Sequence, residues 1–176
     1  MSESVHDGVS IVQDTRVSEK FCASDADLTF ESSDGVQFKV HRANLATHSH
    51  VFPGNEITND GESVRLEETA QVLELLLLHI YPDPAPDLDK ESFPTICALA
   101  EAAEKYQLAL AMEICRLHLK NRHEENPSEV LKYACKHGYR SLADLCAKHT
   151  LDQSPQDMLL LLGAQDFAHQ STVNAG

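Results

Sequence analysis

The chain has 176 residues, of which 42% are hydrophobic and 24% are charged. This length and balance predict one globular domain with a well-buried core and exclude a largely disordered chain. Acidic residues outnumber basic ones by 28 to 14. A nucleic-acid backbone would be repelled, so direct nucleic-acid binding is not expected. Every apolar run is shorter than the roughly 20 residues that cross a bilayer, so no membrane helix is expected either.

Cysteine usage indicates a reducing compartment. The five cysteines are scattered through the chain, in an odd number and without a C-x-x-C spacing: Cys22, Cys97, Cys115, Cys135 and Cys146. This pattern favours free thiols over a disulfide framework. Residues 1–14 contain acids and lack the apolar core of a secretory signal. We therefore expect an intracellular protein, cytoplasmic or nuclear.

The first third of the chain predicts a small sheet. Residues 1–20 are polar and aperiodic, and we expect them to form a flexible leader. Between residues 28 and 40, apolar and polar residues alternate on either side of an Asp34-Gly35 turn. This pattern predicts a β-hairpin, because Asp-Gly tolerates the positive φ of a tight turn. A short helix is predicted over residues 42–50, and a polar loop over 55–62 leads to a third strand at 64–66.

The remaining sequence predicts helices. Thr69 can cap an almost wholly apolar helix that runs to about Tyr81, where a proline-rich connection ends it. Apolar residues recur at intervals of three and four over residues 93–103 and 108–119, which predicts two helices packed as a hairpin.

Helix-start and helix-stop signals continue towards the carboxyl terminus. Residues 126–129 (NPSE) combine a capping residue, a proline and an acid at a helix start, and Gly138 is a stop signal. A further helix is predicted around residues 142–146, and a last one over 154–162. The order of elements predicts an α+β domain with a helix-rich body.

Several of these segments together resemble a known family. Residues 27–52 (DLTFESSDGVQFKVHRANLATHSHVF) are similar to the opening of a BTB/POZ domain, with its Asp-initiated strand, F-x-x-H-R strand and L-A-x-x-S-x-V-F helix. Residues 63–81 (SVRLEETAQVLELLLLHIY) resemble the family's third strand and central helix, and residues 98–108 (ALAEAAEKYQL) its next helical pair. Residues 129–139 (EVLKYACKHGY) resemble the helical extension of many fungal BTB proteins.

The resemblance implies an α+β fold of the BTB/POZ type. We expect a small three-stranded sheet covered by helical hairpins and followed by an all-helical extension. The expected divisions are a flexible leader at 1–20, a BTB/POZ domain at 21–122, a helical extension at 123–163 and a flexible tail at 164–176.

The resemblance also implies a protein–protein interaction module that acts through homo- or hetero-oligomerisation, as an adaptor or scaffold. A homodimer is expected. By resemblance, its seam comprises Phe21, Asp27, Leu28, Arg42, Leu45 and Phe52. Asp27 and Arg42 match acidic and basic positions near the family's dimer floor. They form either a buried ion pair that provides specificity or two ordinary exposed strand ends.

A cullin-based ubiquitin-ligase substrate adaptor is a sharper variant of this function. The helical tail favours it. Pro53-Gly54 counts against it, because these residues interrupt the helix by which several BTB domains contact a cullin and complete the dimer seam. No kelch, MATH or zinc-finger unit is recognised in the sequence, so an adaptor would have to bind its partner through the extension.

The sequence carries no motif of an enzyme, and no catalytic residue is proposed. G-x-S-x-G, Walker-type and dinucleotide-binding patterns are all missing. The pairs Glu67-Glu68 and Glu124-Glu125 are interpreted as solvated or helix-terminal charges, and His41 as a structural residue.

The Cys and His residues leave one chemical alternative open. The spacings Cys115-x-x-His118, Cys135-x-His137 and Cys146-x-x-His149 allow a zinc-binding structural protein or a hydrolase. These cysteines fall on apolar stripes, where a free thiol behaves as a small hydrophobic group. We therefore expect no metal and no cofactor.

Overall fold

A computed structural model describes residues 16–49, 51–52 and 63–150 of the chain. The strands in these residues are β1 Arg16–Cys22, β2 Leu28–Glu31, β3 Val36–Val40 and β4 Val64–Arg65. The α-helices are α1 Arg42–His48, α2 Ala70–Leu77, α3 Phe93–Lys105, α4 Ala109–Asn121, α5 Pro127–Lys136 and α6 Arg140–Ala147. A single 3-10 turn, Leu88–Lys90, precedes α3.

The predicted hairpin is the centre of the sheet, whose strand order is β1-β3-β2-β4. β2 and β3 are antiparallel, and Gly35 has a φ of 80° in the turn between them. The period-two alternation buries one face of the hairpin, including Phe30 and Phe38, which are at most 1% exposed. β4 runs parallel to β2 at the opposite edge from β1.

Within the described residues the sheet has four strands and not the three predicted from sequence. The additional strand is β1, whose first five residues lie in the segment 1–20 for which no structure was predicted. β1 pairs with β3 in parallel, and its register shifts between Val17 and Cys22. Only Ser18 and Phe21 of this strand are buried. Because the register is irregular, the buried residues are three positions apart and do not alternate with exposed ones. The strand therefore lacks the alternating apolar pattern that predicts a strand from sequence.

The apolar helix predicted after Thr69 is the buried core helix α2. The Thr69 hydroxyl accepts the backbone N–H of Val72 and caps the helix. Five of its eight residues are buried: Val72, Leu73, Leu75, Leu76 and Leu77. The helix ends at Leu77 and continues as tight turns to Tyr81, which the following proline restricts to non-helical backbone.

The predicted helical hairpin is formed by α3 and α4. Ser92 caps α3 by accepting the backbone N–H of Thr95. Between the two helices, Gln107 adopts a φ of 53°, and Leu108 N–H donates to Ala103 C=O at 3.0 Å. This bond is one half of a Schellman motif, which turns the chain sharply into α4.

Gly138 ends α5 as predicted, through a second Schellman motif. Its φ is 73°, and Tyr139 N–H donates to Ala134 C=O at 2.8 Å. Asn126 occupies the predicted cap position of α5, but its side chain makes no capping hydrogen bond. The helix predicted over 154–162 and the tail at 164–176 lie outside the described residues.

One contiguous apolar core runs from Phe21 on β1 to Cys146 on α6. It includes Val130, Leu131 and Ala134 of α5, which are at most 1% exposed. α5 and α6 therefore pack into the same core as the sheet and do not form a separate globular unit. No helix in the described part of the chain is long and apolar enough to cross a membrane.

Candidate protein-binding surface

Helix α4 carries two large apolar side chains on its solvent side. Leu110 is 59% exposed and Leu117 is 60% exposed. A spacing of seven residues is about two helical turns, so the two side chains lie on the same face. The opposite face, with Ala111, Cys115 and Leu119, is fully buried. α4 thus has an apolar face towards the core and a second pair of apolar side chains, Leu110 and Leu117, that face water.

A cleft of about 470 Å³ lies beside Leu117, between α4 and the start of α6. Its lining combines apolar and charged side chains: Glu113, Arg116, Leu117, Lys120, Tyr139, Ser141 and Leu142. The guanidinium of Arg116 lies over the ring of Tyr139, 4.7 Å from its centroid, and pairs with Glu113. An apolar centre with a polar rim is the composition typical of protein interfaces.

A partly buried carboxylate holds α5 and α6 against α3. Glu104 on α3 accepts hydrogen bonds from the hydroxyl of Tyr133 at 2.7 Å and from that of Tyr139 at 2.5 Å. Burial first, and then the neighbouring carboxylate, raise the pKa of both tyrosine hydroxyls above their usual range. Both hydroxyls therefore stay protonated and continue to donate.

Glu101, one turn earlier on α3, adds two contacts at the rim. Its carboxylate lies 2.6 Å from Lys136 Nζ and 3.1 Å from His137 Nε2. The Lys136 side chain is 57% exposed, so this pair contributes little free energy compared with the less exposed hydrogen bonds of Glu104. Together these contacts fix the position of Tyr139 at the wall of the cleft.

The strand β1 is a second candidate surface for binding a partner. It is an edge strand, with a strand neighbour on one side only among the described residues. Val17 on this strand is 42% exposed. An edge strand of seven residues presents backbone N–H and C=O groups that another strand can pair with.

The apolar residues predicted to form a dimer seam lie in the core of the single chain. Phe21, Leu28, Leu45 and Phe52 are all at most 4% exposed. Phe52 is stacked between Phe30 and Tyr106, with ring centroids 5.6 and 4.1 Å away. These four side chains are therefore part of the core of the single chain, and the dimer seam itself stays a prediction.

Asp27 and Arg42 are brought together, but not as a buried ion pair. Asp27 is exposed, and its Oδ1 accepts the backbone N–H of Arg42 at 2.9 Å. Arg42 is the first residue of α1, and the side chain of His41 at the cap position makes no capping bond. The Asp27 carboxylate therefore caps α1, although it lies fifteen positions before Arg42 in the sequence.

His41 is hydrogen-bonded to Tyr81, which lies at the end of the turns that follow α2. The Tyr81 hydroxyl oxygen accepts the backbone N–H of His41 at 2.8 Å and lies 3.0 Å from its Nδ1. Since the oxygen already accepts one proton donor, its own hydrogen can be donated to Nδ1. Phe21 packs edge-on against the same tyrosine ring, at 5.2 Å.

The adjacent acids at 67 and 68 anchor the α3–α4 turn. The Glu68 side chain is 9% exposed, and its carboxylate accepts hydrogen bonds from the Tyr106 hydroxyl at 2.8 Å and Lys105 Nζ at 2.9 Å. Lys105 also contacts Glu67. Both carboxylates are thus paired with the Lys105 ammonium group, which supports their interpretation as structural charges.

Three of the five cysteines are poor nucleophiles. Burial raises the pKa of Cys97 to about 11, that of Cys115 to about 12 and that of Cys146 to about 11. Among the described residues, the single group of three metal-binding side chains within coordinating reach contains no cysteine. The Cys/His set that the sequence left open as an alternative is therefore not assembled in this part of the chain.

A comparison with protein-family models matches the BTB/POZ domain over residues 14–123, more than half of the chain. The chain belongs to the BTB/POZ domain family. A search of the curated proteins finds no match. The α+β fold predicted from the resemblance is confirmed, with a small mixed sheet and a helical carboxyl-terminal region. BTB/POZ domains are protein–protein interaction modules, so the predicted class of function is confirmed as well.

Two features of this BTB/POZ chain were missed from sequence. Leu110 and Leu117 lie off the apolar stripe by which periodicity predicts the core face of α4. Their shared spacing of seven is the signal that could have found them. The bonds of Tyr133 and Tyr139 to Glu104 join residues about thirty positions apart, which leaves no periodic signal.

Proposed function

We propose that this BTB/POZ chain is a non-catalytic adaptor that binds a partner protein along the exposed face of α4. The observation that carries the proposal is the pair of leucines at 110 and 117, each more than half exposed on one helix face. Exposure of a leucine forgoes roughly 1.5–3 kcal/mol of burial free energy. A partner that covers both side chains recovers this free energy.

The cleft beside α4 supports the same proposal. A partner side chain inserted next to Leu117 would meet an apolar floor at Leu142 and charged groups at Glu113 and Lys120. Charges of both signs around an apolar centre provide orientation and selectivity more than affinity. The Glu104 bonds keep the Tyr139 wall in place before a partner binds, which lowers the ordering cost of association.

A homodimer is the second proposal, and the β1 edge favours it. A second copy could pair its own β1 with this edge and cover Val17 in a self-complementary contact. Cullin binding stays a prediction, because the segment around Pro53-Gly54 that bears on it lies outside the described residues.

Light scattering after size exclusion tests the two surfaces separately. We would compare the wild type, Val17→Lys and the double variant Leu110→Ser/Leu117→Ser over a tenfold range of concentration. A mass of twice 19.5 kDa that falls only in Val17→Lys supports a dimer through β1. A fall only in the double variant makes α4 the self-association surface. A monomer throughout rules out the homodimer and leaves the adaptor proposal to be tested on its own.

The adaptor proposal is tested by quantitative comparison of proteins that co-purify from cells with the same three chains. We expect a defined set of partners to be lost with the double leucine variant and retained with Val17→Lys. A purified cullin scaffold would be included as one candidate partner. If the double variant retains every partner of the wild type, α4 is not the binding surface.

A further inference from the structure

One group of metal-binding side chains lies away from the α4 leucines and the β1 edge. The donor atoms of His123, Glu124 and His149 all lie within 4.8 Å of one another. His123 and Glu124 follow the end of α4, whereas His149 follows the end of α6. Two helix ends that are distant in sequence thus bring two imidazoles and one carboxylate to one place.

We propose that His123, Glu124 and His149 form a binding site for Zn²⁺. Two imidazole nitrogens and one carboxylate oxygen are ligands that zinc accepts, and three protein ligands leave a fourth position for water. Ca²⁺ and Mg²⁺ prefer sets of six or more oxygen ligands, which this group does not provide. The site differs from the Cys/His set considered from sequence, since Cys146 is fully buried and does not belong to the group.

The orientation of His123 supports this proposal independently of the clustering. Its Nδ1 lies 2.7 Å from the carbonyl oxygen of Lys120. The carbonyl can only accept, so Nδ1 carries the hydrogen and the Nε2 lone pair is available to a metal ion. A backbone carbonyl that fixes the tautomer in this way is the usual outer contact of a metal-binding histidine.

The spacing of the donors requires only a small adjustment. In a tetrahedral zinc site with bonds of about 2.0–2.1 Å, neighbouring donor atoms are about 3.4 Å apart. The rings of His123 and His149 are already in edge-to-face contact, with centroids 5.2 Å apart. Glu124 and His149 are exposed, so their side chains can rotate towards a bound ion without disturbing the core. The net charge of −14 adds a general attraction for a cation.

Metal binding here would join the end of α6 to the connection between α4 and α5. Thr150, directly after His149, is buried and donates its hydroxyl to Ala147 C=O in the turn that follows α6. An ion that binds the folded site and not the unfolded chain stabilises the fold in proportion to its concentration. Zinc is therefore expected to protect α6 from local opening.

The test is calorimetric titration of the chelator-treated full chain with Zn²⁺, together with Co²⁺ titration followed by visible absorption. The variants are His123→Ala, His149→Ala and Glu124→Gln. Two matched controls remove similar exposed groups outside the cluster, namely Glu125→Gln beside it and His48→Ala at the end of α1. Circular dichroism of each metal-free variant checks that it is folded.

We expect one equivalent of Zn²⁺ to bind, with a midpoint of unfolding that rises with zinc concentration in the wild type and both controls. Outer contacts of metal ligands are typically worth 10–100-fold in affinity, so loss of either histidine should weaken binding by at least about tenfold. Glu124→Gln should weaken it as well, and millimolar Ca²⁺ should not compete. Three results would overturn the proposal: no binding, unchanged affinity in folded His149→Ala, or a Co²⁺ spectrum with thiolate charge-transfer bands.

Discussion

The hydroxyl of Tyr139 donates a hydrogen bond to the carboxylate of Glu104, across the boundary between α3 and the carboxyl-terminal helices. Gly138 makes this contact possible, because its positive φ reverses the chain after α5 and directs Tyr139 back towards α3. Tyr133, on α5 itself, reaches the same oxygen. A local stop signal and a partly buried acid thus act together to hold the carboxyl-terminal helices on α3.

The first prediction concerns the Glu104 carboxylate. Tyr133→Phe should lower the free energy of unfolding by about 1.5–3 kcal/mol, because it removes a hydrogen bond to a charged acceptor. The measurement is urea denaturation followed by circular dichroism. Lys136→Ala, on the same helix, removes an exposed pair with Glu101 and should cost less than about 1 kcal/mol. Equal losses in the two variants would contradict the ranking.

The second prediction concerns the two left-handed residues that end α3 and α5. Gly138→Ala should lower the free energy of unfolding by about 1 kcal/mol, because an L side chain is strained at a φ of 73°. Apart from Gly138 itself and its two chain neighbours, no heavy atom lies within 4 Å of the added methyl group, so the cost comes from the backbone conformation and not from a clash with another part of the fold. Gln107→Gly at a φ of 53° should have the opposite sign and gain up to about 1 kcal/mol.

Thermal and urea unfolding of both variants measure these changes. Gly138→Asn serves as a control, since Asn tolerates the left-handed region better than Ala and should lose less stability. A destabilised Gln107→Gly would mean that the side chain of Gln107 makes a compensating contact.

Sequence periodicity predicted the elements whose burial is regular. In the hairpin at residues 28–40 and in the helices α2 to α6, apolar residues recur at a constant interval. The positions of these elements could therefore be predicted from the sequence. β1 could not, because its register shift leaves Ser18 and Phe21 as its only buried residues. A strand at the edge of a sheet needs little apolar sequence to pair through its backbone.

The residues of the candidate surface were harder to predict for a different reason. Family resemblance directed attention to Phe21, Leu28, Leu45 and Phe52, which the folded chain uses for its own core. Exposure is a property of the whole fold and is not encoded in the type of a residue. Leucine has the same local preference at position 117, where it is exposed, and at 119, where it is buried.

The third prediction is a pH dependence caused by His79. This residue is 7% exposed, and its Nδ1 donates to Leu75 C=O at 2.8 Å. Its Nε2 has no hydrogen-bond partner among the described residues. Burial lowers the pKa of His79 below its ordinary value of 6.5, although the bond to Leu75 opposes the shift.

The sign follows from proton linkage. The unfolded chain protonates this histidine more readily than the folded chain, so its contribution to stability is complete above pH 6.5 and is lost as the pH falls below that value. For one titrating group, the free energy of unfolding cannot change by more than about 1.4 kcal/mol per pH unit. The measurement is the difference in unfolding free energy between the wild type and His79→Leu at about pH 7.5 and about pH 5.5. The exposed His48→Leu should show no comparable change.

The fourth prediction ranks thiol reactivity. Cys22 is exposed, whereas Cys115 and Cys146 are fully buried and have a pKa raised to about 12 and about 11. At pH 8 we expect a maleimide to modify Cys22 first and to leave the two buried thiols unmodified in the folded chain. Peptide mass spectrometry after a short pulse identifies the modified site. In denaturant the three should react at similar rates, and equal rates in the folded chain would refute the ranking.

The last prediction separates two roles of Asp27, as helix cap and as charge. Asp27→Ala removes the acceptor of Arg42 N–H and should lower the free energy of unfolding by about 1 kcal/mol. Asp27→Asn keeps an oxygen at that position and caps a helix about as well, so its stability should be close to that of the wild type.

Solution mass then shows whether the charge has a further role. If the carboxylate only caps α1, Asp27→Asn has the same mass as the wild type in light scattering over a tenfold concentration range. If the charge also contributes to an interface between copies, Asp27→Asn keeps its stability but changes its mass. Since the side chain is exposed and its acceptor oxygen is already used by Arg42 N–H, we expect the first result.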